Sequence, residues 1–132
     1  MDPYVDLSTH YESKVSIDDA AVSGTAVTGT AIDCRNYSGP IHCLFHTGAA
    51  TGSPTAQAHP VKLQESADGS TGWQDLATQT NTTMTADAQA KMVRGIRTLR
   101  YVRAHADDAF TGGTSPATTI SAVIMGRLTR AT

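Results

Sequence analysis

Turn signals punctuate this chain every few residues, and they limit what it can build. Ser23-Gly24, Thr28-Gly29, Tyr37-Ser38-Gly39-Pro40, Gly48 to Pro54, Asp68-Gly69-Ser70-Thr71-Gly72 and Thr111-Gly112-Gly113-Thr114-Ser115-Pro116 all supply either positive φ or the fixed φ of proline. The apolar stretches between them are too short for long amphipathic helices but suit strands. The clearest is Ile41-His42-Cys43-Leu44-Phe45-His46, where period-2 alternation puts Ile41, Cys43 and Phe45 on a core face and His42, Leu44 and His46 on the other.

Val61 to Glu65 alternates in the same way and runs through Asp68-Gly69 into Trp73 to Leu76, a hairpin pattern. Leu99 to Ala104 and Thr118 to Met125 read as two further strands, expected to pair antiparallel around a turn at Phe110 to Pro116. Ala20 to Asp33 reads as one or two strands bent at Gly24 or Gly29, and residues 84–95 as an extended connection ending in a strand. A sheet with one apolar face has to cover it with a second layer, so the fold expected is an all-β, single-domain antiparallel β-sandwich or jelly-roll-like barrel.

With 132 residues there is room for one core. Residues 20–132 are expected to form it. Residues 1–19 carry five acids and one lysine, with Tyr4, Val5, Leu7, Tyr11, Val15 and Ile17 scattered at no sustained period. They are expected to be an N-terminal arm ordered by a neighbour, a second copy or another protein.

The formal net charge is -2, which disfavours a polyanion such as nucleic acid as partner. The charge is uneven. Residues 1–90 hold three basic and ten acidic side chains, net −7, and residues 91–132 hold seven and two, net +5. No apolar run approaches the ~20 residues of a membrane helix, and the acidic start is unlike a signal peptide, so a soluble protein made in a cytoplasm is expected.

Residue types that carry chemistry are present without the spacing it needs. Cys34 and Cys43 flank the Ser38-Gly39 turn symmetrically, which would set them opposite each other in a hairpin, although two small buried thiols are the expectation. His42 and His46 share a strand face about 13 Å apart, too far to ligate one metal from a regular strand. His10, His59 and His105 are expected at the surface or an interface. No GxSxG serine, paired base or phosphate-cradling glycine loop occurs, and Asp18-Asp19 and Asp107-Asp108 point to opposite sides of an extended chain. Neither an enzyme nor a cofactor is expected. Lys91, Arg94, Arg97, Arg100 and Arg103 recur every third residue, half of all the basic side chains. They are expected to be solvated or to pair with the acidic N-terminal part, within a subunit or between subunits, or to touch a larger partner.

The segment Val61-Lys62-Leu63-Gln64-Glu65-Ser66-Ala67-Asp68-Gly69-Ser70-Thr71-Gly72-Trp73-Gln74-Asp75-Leu76 resembles the hairpin of small β-sandwich virion proteins, the decoration or cement proteins of tailed-phage capsids. Ala31 to Gly39 upstream, and Leu99 to Arg103 and Ala122 to Arg127 downstream, are similar to their neighbouring strands. The likeness spans roughly residues 20–128. Gly72 before Trp73, the long Thr51 to His59 loop and the Cys and His residues of the central strand depart from it. The resemblance implies a non-enzymatic homotrimer that binds the major capsid protein on the outer capsid surface of the virion, after assembly in the host cytoplasm. Tyr4, Val5, Leu7, Tyr11, Arg94, Arg97 and Arg100 are then the expected capsid or inter-subunit contacts. The alternative is a carbohydrate-binding module of a tail or fibre. Trp73 is expected beneath its hairpin turn, against Leu63 and Phe45.

Overall fold

The computed structural model describes residues 10–129, and they form an all-β structure. In chain order the strands are β1 (Tyr11–Val22), β2 (Val27–Thr28), β3 (Ile32–Asp33), β4 (Tyr37–Thr47), β5 (Ala56–Gln57), β6 (His59–Ser66), β7 (Gln74–Asp75), β8 (Thr78–Gln79), β9 (Thr82–Met84), β10 (Ala90–Ile96), β11 (Tyr101–Ala106), β12 (Phe110–Thr111) and β13 (Thr118–Leu128). Two antiparallel sheets dominate. The first runs β1-β13-β4-β10-β8; the second runs β2-β11-β6-β7, with β3 also on β11 and β9 on β6.

Alternation explains how the sheets meet. On β4, Ile41, Cys43, Phe45 and Thr47 are buried; on β13, Ile120, Ala122 and Ile124; on β6, His59, Val61, Leu63 and Glu65; on β11, Val102, Ala104 and Ala106. The apolar members join one core cluster drawn from both sheets, a sandwich-like arrangement. Burying each large apolar side chain contributes about 1.5–3 kcal/mol.

The corner at residues 97–100, where the chain leaves the first sheet for the second, is stitched from both sides. Glu65, 1% exposed, accepts hydrogen bonds from the Thr98 N–H (2.7 Å), the Thr98 hydroxyl (2.8 Å) and the Leu99 N–H (3.0 Å). Arg97 does the reverse, donating to the carbonyls of Leu99 (3.1 Å), Tyr37 (3.0 Å) and Cys34. The hairpin after β6 is held by Asp68, whose Oδ1 accepts from the Ser70 and Thr71 N–H groups at 2.9 and 2.8 Å. Gly69 follows at φ 77°, where a Cβ would press on the Tyr101 ring.

Three expectations are corrected, and for the cysteines the expected buried thiols hold while the facing alternative does not. Residues 11–19 of the expected arm are not separate from the sheet: they belong to β1, which pairs with β13 through two register shifts. Residues 1–9, with Tyr4, Val5 and Leu7, lie outside the described residues. Strands β11 and β13 do not pair. They sit in opposite sheets, because 110–116 is a crossover whose β12 pairs with β5. Trp73 is not in the core. It is half-buried on the outer side of the second sheet, with the Arg103 guanidinium 4.1 Å from its ring centre. Cys34 and Cys43 are buried and free, but they do not face each other: Cys43 is registered between Val93 and Ile124, while Cys34 lies in the turn before β4 with its N–H bonded to the Arg100 carbonyl.

Candidate functional site

The titratable side chains are used structurally. His59 is fully buried rather than at a surface. Its Nδ1 accepts the Ala109 N–H at 3.1 Å, which leaves Nε2 to donate to Gln57 Oε1 at 3.1 Å, and its ring meets Phe110 edge-on at 4.6 Å. Burial pushes its pKa down and keeps the imidazole neutral. His105 Nε2 lies 2.8 Å from Asp107 Oδ1. Burial also raises both thiols, Cys34 to about 11. Among the described residues no group of three or more His, Cys, Asp or Glu could hold a metal ion.

The basic row from Lys91 to Arg103 is divided among different tasks. Lys91 donates to the Thr83 carbonyl at 2.9 Å, and Arg97 is used on the corner carbonyls. Arg100 grips both oxygens of Asp33, at 3.0 and 2.8 Å, and this hydrogen bonding holds the Asp33 carboxyl well below its usual range. Arg103 bonds Gln64 Oε1 at 2.9 Å while covering Trp73. Arg94 is exposed on β10. Of the expected contact residues, the structure therefore brings Tyr11 and Arg94 to one sheet face and leaves Arg97 and Arg100 at the corner.

That face is the outer side of the first sheet. Register aligns Val15 of β1, Val123 of β13, Leu44 of β4 and Met92 of β10 in one row across four strands. The next row is Ser13, Met125, His42 and Arg94. Beyond it, Tyr11 is paired with Arg127. The exposed large hydrophobic residues are Tyr11 (49%), Val15 (53%), Leu44 (37%), Met92 (45%) and Ile96 (45%), and all five point outward here. A groove of about 480 Å³ runs along one end between Tyr11, Pro40, His42, Met92, Met125 and Arg127. No family model, curated protein or solved structure matches the chain.

The opposite outer surface has a different character. On the second sheet Lys62 bonds Asp75 at 3.1 Å, Gln64 bonds the same carboxylate at 3.2 Å, and Thr28 lies 3.3 Å from His105. Polar groups there satisfy one another, whereas the first sheet offers water a row of unpartnered apolar side chains. Contiguous exposed apolar surface of this kind marks an interaction site. The sequence held a signal for it: Ala122-Val123-Ile124-Met125 is apolar at odd and even positions alike, the pattern of a strand covered on both faces.

Proposed function

We propose that this chain is a virion structural protein with a jelly-roll-like body, a capsid decoration protein that docks on the assembled major capsid protein and bridges neighbouring capsomers. The observation that carries the reading is the gathering of every exposed large hydrophobic residue of the described chain on one sheet face. A flat, four-strand apolar platform suits contact with another protein surface better than capture of a small molecule. The resemblance of residues 61–76 to decoration-protein hairpins points the same way. Many copies, grouped as trimers and each touching more than one capsomer, would convert modest single contacts into firm attachment.

The test is stoichiometry and binding. Quantitative mass spectrometry of purified virions is expected to find copies in proportion to capsomers, and the purified chain is expected to saturate DNA-free shells. A handful of copies per particle would exclude the role.

The second reading is a carbohydrate-binding module of a tail or fibre. It is favoured by Trp73 and Tyr101, which both lie on the outer side of the second sheet, but guanidinium groups of Arg103 and Arg100 already lie 4.1 and 5.0 Å from their ring centres. Glycan-array binding lost on Trp73→Ala, without binding to shells, would replace the first reading with this one.

A further inference from the structure

The charges around the apolar row specify its partner more narrowly. Lys14 pairs with Glu12 at 3.4 Å, Arg35 with Asp33 at 3.8 Å, Lys62 with Asp75 at 3.1 Å and Arg100 with Asp33 at 2.8 Å. Lys91 and Arg97 bond carbonyls, and Arg103 bonds Gln64 and covers Trp73. Among the described residues that leaves two lysine or arginine side chains without a partner, Arg94 and Arg127. Both are on the outer face of the first sheet: Arg94 opposite His42 and two residues from Met92, Arg127 opposite Tyr11 and on the groove.

Neither is paired with a carboxylate, and the exposed Asp18 and Asp19, in the register shift of β1 between Ile17 and Ala20, lie on the other side of the apolar row from them. The outward positions of β13, β4, β10 and the Tyr11 to Val15 half of β1 are Ser, Thr, Ala, Pro, His, Arg and the apolar row. Two unpaired guanidinium groups therefore flank one end of the apolar strip, with His42 beside them and His46 on the strip's other side. A second copy packed face to face with its strands aligned would set arginine against arginine, which disfavours that packing. Two cations among five exposed apolar side chains also suit an apolar partner carrying a few acids better than a dense polyanion.

We infer that this face binds an acidic, apolar stretch of a partner protein. Arg94 and Arg127 pair with its carboxylates, and Val15, Val123, Leu44 and Met92 bury its apolar side chains. Met92 and Met125 line the groove, and their unbranched chains let it fit side chains of different shape. The inference rests on the docking reading of the same face and adds the chemistry of the partner, in that reading the surface of the capsid shell.

The test uses the full chain and an immobilised random Glu/Tyr copolymer as the acidic, apolar probe, with poly-Glu and a Lys/Tyr copolymer beside it. Binding is expected to the Glu/Tyr copolymer, to be weaker on poly-Glu and absent on Lys/Tyr, and to fall with added salt. Arg94→Glu with Arg127→Glu is expected to weaken it about tenfold or more, and Leu44→Ser with Met92→Ser similarly. Lys62→Glu, on the opposite outer surface, is expected to leave it unchanged. All these positions are at the surface, and unchanged thermal melting of each variant certifies folding.

Equal binding to poly-Glu would overturn the apolar half of the inference, and full binding by the double arginine variant would overturn the whole. Two other occupants have their own outcomes, and either one overturns it. A chain that sediments as a dimer and becomes monomeric with Leu44→Ser and Met92→Ser puts a second copy on the face. Probe binding that arises only when residues 1–9 are deleted puts the chain's own terminus there. Shells separate this inference from the decoration reading. Shell binding unaffected by the arginine reversals keeps decoration and discards this surface; arginine-dependent probe binding with no shell binding does the opposite.

Discussion

Replacing Glu65 with glutamine removes one negative charge from the corner between the sheets and changes almost no volume. The native carboxylate accepts the Thr98 N–H, the Thr98 hydroxyl and the Leu99 N–H at 2.7–3.0 Å while only 1% exposed. Hydrogen bonds to a charged group are worth about 1.5–3 kcal/mol each, and an amide NH₂ turned toward a backbone N–H cannot accept at all. With one oxygen kept and the other lost, the expected cost is about 3 kcal/mol, a large fraction of the ~5–15 kcal/mol that holds a domain together.

The same carboxylate predicts a pH dependence. Burial raises its pKa, but the bonds from Thr98 and Leu99 together outweigh burial and hold the group below its ordinary 4.5. A depressed folded-state pKa contributes stability that is complete above the unfolded value and drains away as pH falls through the folded one. The gap between the native chain and Glu65→Gln should therefore be widest near neutral pH and narrow below about pH 4.5. Urea denaturation followed by circular dichroism, repeated between pH 7 and pH 3, measures it. A gap under 1 kcal/mol at pH 7, or one that stays constant into acid, would refute the reasoning.

Trp73→Ala is expected to cost only about 1 kcal/mol by urea denaturation, because a half-exposed indole loses mainly its contact with Arg103 and some buried area. Cys34 and Cys43 should resist an aromatic disulfide reagent at pH 7.5 in the folded chain and both react in urea, since burial raises both thiols above their usual range. Gly126→Ala should destabilise by about 1–3 kcal/mol in thermal melts, because a Cβ there overlaps the Tyr37 ring inside the sheet.

Local pattern made much of this fold legible and long-range pairing very little. Ile41 to Phe45 alternates cleanly, and its burial follows that alternation residue by residue. The hairpin from Val61 to Leu76 was equally readable, because turn chemistry fixes its two strands as neighbours. The error over β11 and β13 has a physical origin. Strands adjacent in sequence pair when the link is a tight turn, but residues 107–117 carry enough chain to cross the sandwich.

Trp73 falls outside the core because Arg103, between Tyr101 and His105 on the outward side of β11, offers a cation for its ring, a pairing that depends on long-range register. Glu65 carried an overlooked signal: in Val61-Lys62-Leu63-Gln64-Glu65 it falls on the inward parity. An inward carboxylate needs donors, and the corner supplies them. Of the candidate site, Leu44 and Met92 were visible as residues but not as a row, since their alignment depends on the register of four strands that are far apart in sequence.

The position of β13 has a consequence for how the molecule is made. It lies between β1 and β4, yet it is the last strand of the described chain to leave the ribosome. Until Thr118 to Leu128 emerges, a nascent β1 has no sheet partner and β4 is paired on one side only. The first sheet is thus completed only once β13 has emerged, with two strand edges left open in the meantime to any neighbouring polypeptide. Ribosomes crowded on one message would bring such edges together, so the yield of soluble protein should depend on how quickly the final strand is delivered and inserted.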